Sequence, residues 1–213
     1  MTDITEFKAW RVHQEGEQFT GREETMPLDS LPEGEVLIRV SHSSLNYKDA
    51  LSASGNPGVT RAFPHTPGID AAGTVVEAEG NDPAAQTPVI VTGYDLGMNT
   101  AGGFGEYIRV PRAWVAKMPA GWGAGKAMIY GTAGLTAGLC VGKLLRMGAT
   151  KDDGPVAVTG ASGAVGTVAV EILSVLGFEV VAISGKPDQK SQLESLGAKE
   201  VLDREQLADQ KKP

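Results

Sequence analysis

The segment Pro155–Gly166, PVAVTGASGAVG, constrains this chain more than any other. Five largely apolar residues, Pro155 to Thr159, read as a buried strand. A glycine-rich turn follows, and Thr167–Leu176 reads as an apolar helix closed by Gly177. A second apolar run, Glu179–Ile183, comes directly after. Strand, glycine turn, helix and strand in this order make the unit that binds dinucleotides. The turn offers unpaired backbone N–H groups and a helix N-terminus where a pyrophosphate can sit.

Aligned to G-x-G-x-x-G, the positions are Ala161, Gly163 and Gly166. Gly163 would let the backbone approach the pyrophosphate, and Gly166 would let the helix pack close. Ala161 departs from the pattern, and Gly160 beside it is expected to absorb the turn instead. An NAD-binding unit usually ends its second strand with a carboxylate on the ribose hydroxyls. Here that strand ends Ile183-Ser184-Gly185-Lys186, a hydroxyl, a glycine and a cation. This chemistry suits a 2′-phosphate and predicts NADP(H), with Asp188 as the rival that would weaken the preference. Arg204 follows the third apolar segment, Glu200–Leu202, and either reaches the same phosphate or starts a helix at the surface.

The chain of 213 residues carries a net charge of −7, which argues against a nucleic-acid surface. No eighteen consecutive residues are apolar, so no membrane span is expected. The start, MTDITEFKAW, lacks an apolar signal region, and a cytoplasmic location is expected. The single cysteine, Cys140, excludes an internal disulfide and reads as a buried small hydrophobe. With three scattered histidines, His13, His42 and His65, no metal site is expected. His65 precedes a Pro-Gly turn and is a candidate for lining a cleft.

The first 120 residues have a different texture. Val36–Ser41, Gly73–Ala78, Pro88–Thr92, Gly105–Val110 and Trp114–Met118 read as short strands between Pro- and Gly-rich turns. They suggest a β-rich, barrel-like unit over residues 1–122. Residues 123–213 alternate helices with strands, and Ala127–Arg146 reads as one long helix. Only three strands follow that boundary, which is the first half of a doubly wound sheet. The first of them would leave an exposed apolar edge, so a C-terminally truncated chain is expected. The tail Gln206–Pro213 is polar.

Several motifs support a resemblance. They include Ser43–Leu51 (SSLNYKDAL), Pro67–Val75 (PGIDAAGTV), Gly102–Tyr107 (GGFGEY), Lys126–Ile129 with Gly131–Ala137 (GTAGLTA), and Val158–Gly166. From Ala9 to Arg204 the chain resembles the zinc-free medium-chain dehydrogenase/reductases, in their YhdH/AcuI acryloyl-CoA reductase branch. The resemblance implies an α/β protein: an N-terminal GroES-like barrel domain plus the first half of a Rossmann domain. It implies NADPH-dependent reduction of the C=C bond of an acryloyl thioester by a cytoplasmic homodimer. Carried over by motif, Tyr47 would contact the nicotinamide end. Ser162, Gly163, Ala164 and Val165 would hold the pyrophosphate. Ser184, Gly185, Lys186 and Arg204 would hold the 2′-phosphate. The branch usually has arginine where Lys186 stands, which grips phosphate with two prongs.

Hydride addition to the β-carbon of an enoyl thioester puts charge on the thioester oxygen, which hydrogen-bond donors must then stabilise. Asn46 and Tyr47 are uncharged donors after the third strand, and Tyr47 could supply the α-carbon proton. The competing reading has Asn46 making a turn and Tyr47 packing at a surface. Lys48 and Asp49 could pair with each other, and Asp70 reads as a structural acceptor rather than a base. Two alternatives remain: an NADPH:quinone oxidoreductase on the same fold, and a chain that binds NADPH without turnover. For a CoA substrate, Arg61 and Lys48 are the visible cations.

Overall fold

The computed structural model describes residues 4–205, so the tail after Glu205 lies outside the described residues. The chain divides into two compact units at Thr132–Ala133.

The first unit begins with a hairpin, β1 (Glu6–Glu15) against β2 (Gln18–Pro27). Then come β3 (Val36–His42), α1 (Tyr47–Ala53), β4 (Asp70–Ala78), β5 (Pro88–Thr92), β6 (Tyr107–Val110) and β7 (Val115–Lys117). The last five strands form one antiparallel sheet in the order β6-β3-β4-β5-β7. Val36, Ile38, Val75, Val89, Val91, Leu96, Ile108 and Val110 bury one face of it. Burying each such side chain contributes about 1.5–3 kcal/mol. The hairpin closes on the chain before β6: Trp10 N–H donates to Phe104 O at 2.8 Å, and Glu106 N–H to Lys8 O at 2.9 Å. The GGFG run crosses the Pro67-Gly68 turn backbone on backbone. A Cβ on Gly103 would stand 2.3 Å from Asp70 O, so only glycine fits.

The helix α2 (Ala124–Arg146) is not the uninterrupted helix that the sequence suggests. It breaks at Gly131, with φ 44° and ψ −142°. Before the break, Ala127 and Met128 pack on Ala72 of the first unit. By length and composition α2 would suffice to cross a membrane, but it carries Lys126, Lys143 and Arg146 besides the break. Past the break its buried stripe runs through Ala133, Ala137 and Val141 at four-residue spacing. Cys140 lies off that stripe and is exposed, against the sequence reading of a buried residue.

The second unit continues with β8 (Val156–Thr159), α3 (Ala164–Val175), β9 (Val180–Ser184), α4 (Lys190–Ser195) and β10 (Glu200–Asp203). The three strands are parallel in the order β10-β9-β8. Val170, Leu173, Phe178, Val180, Ala182 and Leu193 form its core. The sequence predicts β8 as a buried strand, yet none of its four residues is buried. The reason is its edge position: β9 pairs with it on one side only.

Candidate active site

Two clusters gather the residues that sequence reasoning singled out, one in each unit. In the second unit the turn from β8 to α3 is made by Gly160, at φ +61°. This explains the alanine at the first fingerprint position. Ala161 needs no left-handed backbone and buries its methyl in the core. Ala161 N–H donates to Ile183 O at 3.1 Å, tying the turn to β9. Gly166 faces the turn rather than the strand, since a Cβ there would stand 2.3 Å from Gly160 O. Gly163 caps α3 with extended backbone, and a Cβ there would meet nothing closer than Gly160 O at 3.2 Å. Gly163, Ala164 and Val165 are exposed. The N–H groups of the first helical turn have no carbonyl one turn back to receive them.

At the end of β9 the predicted residues converge. Ser184 is buried and its hydroxyl donates to Ser162 Oγ at 2.8 Å. It also receives Lys186 N–H at 3.0 Å. The Arg204 guanidinium lies beside Gly185, where a Cβ would stand 2.9 Å from its Nη2. The Lys186 and Arg204 side chains are exposed and have no ion-pair partner among the described residues. Asp188 is exposed in the short turn before α4. The cluster therefore offers the Ser162 hydroxyl, positioned by buried Ser184, and two exposed cations at one sheet end, a surface suited to an anion.

In the first unit, Asn46 precedes α1 and Tyr47 opens it. Tyr47 is 81% exposed, and its hydroxyl has no partner among the described residues. Asp49 is buried instead of pairing with Lys48. Its carboxylate receives Asn46 N–H at 2.7 Å and Ile69 N–H at 2.9 Å. Burial pushes the Asp49 carboxyl above its ordinary value, and the two backbone N–H groups pull it back.

Asp70 is the group that sequence reasoning undervalued. It is fully buried and receives four hydrogen bonds. Ser44 Oγ (2.5 Å), Asn46 Nδ2 (3.0 Å) and Thr132 N–H (2.9 Å) reach Oδ2, and Thr132 Oγ1 (2.8 Å) reaches Oδ1. The break at Gly131 is what brings the Thr132 backbone to this carboxylate. Asp70 is a structural acceptor, as expected, but of four groups on two further segments. The only signal was its place behind the Pro67-Gly68 turn. His65, the candidate for lining a cleft, is held by its neighbours. It is buried, its Nε2 lies 3.0 Å from Gly97 O, and burial depresses its pKa. Among the described residues no cluster of His, Cys, Asp or Glu could hold a metal.

Known proteins resemble this chain in sequence and fold. Residues 32–120 match the alcohol dehydrogenase GroES-like domain. The chain is 48% identical over 186 residues to the probable acrylyl-CoA reductase AcuI of Escherichia coli, covering 87% of this chain and 57% of the relative. The crystal structure of the YhdH oxidoreductase of Salmonella enterica in complex with NADP superposes with a TM-score of 0.90 at 43% identity. That match covers 93% of this chain and 61% of the other. YhfP of Bacillus subtilis, solved with NAD bound, gives 0.92 at 39% identity, over 97% of this chain and 63% of the other. The chain thus spans about three fifths of the length of these relatives.

Proposed function

For a chain that belongs to the AcuI/YhdH-type medium-chain dehydrogenase/reductases, we propose NADPH-dependent reduction of the C=C bond of acryloyl-CoA or a related enoyl thioester. The observation that carries the cofactor reading is the end of β9. A hydroxyl, a glycine and Lys186 stand where a ribose-binding carboxylate would favour NAD, and Arg204 lies beside Gly185. The residues fit a 2′-phosphate: Ser184, Gly185, Lys186 and Arg204 would hold it. Ser162, Gly163, Ala164 and Val165 would hold the pyrophosphate, through exposed backbone at the start of α3.

NADPH supplies a hydride when bound, and positioning and proton supply fall to the chain. Tyr47, exposed and unpartnered, is assigned to the nicotinamide end and to donation toward the thioester oxygen or the α-carbon. Asn46 stands next to it as the second candidate donor. The assembly that the resemblance implies is a homodimer.

The test is a titration of the chain with NADPH and with NADH, followed by NADPH oxidation with acryloyl-CoA and with a quinone. Tighter NADPH binding and turnover with the thioester are expected. Turnover with the quinone alone would replace this reading by a quinone oxidoreductase. Binding without turnover on either acceptor would leave an NADPH-binding chain only.

A further inference from the structure

The Asp70 carboxylate has no part in the assignment above, yet it is buried and receives four hydrogen bonds. Asn46 Nδ2 donates to Asp70 Oδ2 at 3.0 Å and to Ser44 Oγ at 3.1 Å. Ser44 Oγ in turn donates to the same oxygen of Asp70 at 2.5 Å. A carboxylate accepts only, so this contact fixes which end of the Asn46 amide faces inward.

The same contact decides what Asn46 can do for a reaction. An oxyanion within hydrogen-bond reach of Nδ2 would lie within about 6 Å of Asp70 Oδ2, because each leg of that path is about 3 Å. At that separation two negative charges repel, the more strongly the less water lies between them. The second buried carboxylate, Asp49, holds the backbone N–H of the same residue. Tyr47 is free of this conflict, since its hydroxyl is exposed and spent on no group among the described residues.

We infer that Asp70 is a positioning residue of this site. It locks the Asn46 amide, which thereby fixes the start of α1, and the ligand-facing donor of the pair is Tyr47 alone. The inference rests on the proposed reductase reading for its kinetic consequence, but not for the lock itself.

The lock is tested first in the ligand-free chain by nuclear magnetic resonance. The Asn46 side-chain amide signal should exchange slowly with water in the wild type and quickly in Asp70→Asn. It should also shift less than the Tyr47 ring signals when NADPH and an acceptor are added. Kinetics test the division of labour. Asn46→Ala should lower kcat by about tenfold through misplacement, with little change in KM. Asn46→Ser, which keeps a good helix N-cap, should restore most of the loss. Tyr47→Phe should lose at least as much as Asn46→Ala. A fast-exchanging Asn46 amide in the wild type would overturn the lock. Asn46→Ser as impaired as Asn46→Ala would overturn the division of labour. A chain that neither binds nor oxidises NADPH would refute the reductase reading, while the ligand-free exchange experiment would still decide the lock.

Discussion

A Cβ built on Gly131 stands 2.5 Å from the Oδ2 of Asp70. The same glycine holds φ 44° and ψ −142°, a conformation that L side chains rarely adopt. Two costs therefore coincide at one atom of a buried carboxylate. Gly131→Ala should destabilise the first unit by roughly 1–3 kcal/mol. It should also pull Thr132 away from Asp70. Denaturant unfolding of wild type and variant checks the first effect. Loss of protection at the Thr132 amide in hydrogen exchange checks the second.

His65 predicts a pH dependence of stability. Its folded pKa is depressed, chiefly by burial, while in the unfolded chain it titrates near 6.5. Below about pH 6.5 the unfolded chain takes up a proton that the folded chain refuses. Stability should therefore fall as the pH drops from about 6.5 toward the depressed value, and this residue should contribute no slope above that window. Asp49 works in the opposite sense at lower pH. Its raised carboxyl keeps a proton in the folded chain that the unfolded chain has lost, so its contribution declines as the pH rises from about 3.8 through the raised value. Unfolding midpoints of wild type and His65→Gln, compared between about pH 5 and about pH 7.5, isolate the histidine. The variant should show the shallower acid slope.

Much of this architecture was legible because local chemistry and fold agree. Pro88–Thr92 is bounded by a proline start and a glycine stop, and the strand matches the reading residue for residue. The fingerprint turn was legible for the same reason, down to Gly160 taking the left-handed backbone in place of Ala161. The hairpin partner β2, QFTGREETMP, shows little alternation of apolar and polar residues, so nothing in its pattern announces a ten-residue strand. α1 is only seven residues long, too short for a helical period to show. The role of Asp70 was hidden for a different reason: its partners Ser44, Asn46 and Thr132 lie 24 to 62 positions away in the chain. Local pattern cannot report contacts that only the folded chain assembles.

Gly166 tests the cofactor turn through the backbone alone. A Cβ there would stand 2.3 Å from Gly160 O and 2.7 Å from Ala161 Cα, and neither is a flexible side-chain end. Gly166→Ala should therefore push α3 off the turn, destabilising the second unit by roughly 1–3 kcal/mol. Weaker binding of NADPH and NADH alike should accompany it, because the pyrophosphate contacts are common to both. Thermal unfolding with and without each nucleotide measures the two effects. A variant as stable as the wild type would show that the turn relaxes to admit the methyl.

Cofactor choice tests the other end of the cradle. Arg204 is exposed, has no ion-pair partner among the described residues, and lies beside Gly185. Removing its guanidinium in Arg204→Ala should weaken NADPH binding about ten- to a hundredfold, the range of one lost charge-assisted contact, and leave NADH nearly unchanged. Lys186 offers a point charge where arginine would offer a planar fork, so Lys186→Arg should tighten NADPH severalfold without affecting NADH. Titrations by nucleotide fluorescence at two salt concentrations help to separate contact from long-range attraction, because attraction beyond a Debye length is lost first with screening. Equal losses for both nucleotides in Arg204→Ala would place the arginine on the shared part of the cofactor and would remove the argument for a 2′-phosphate site.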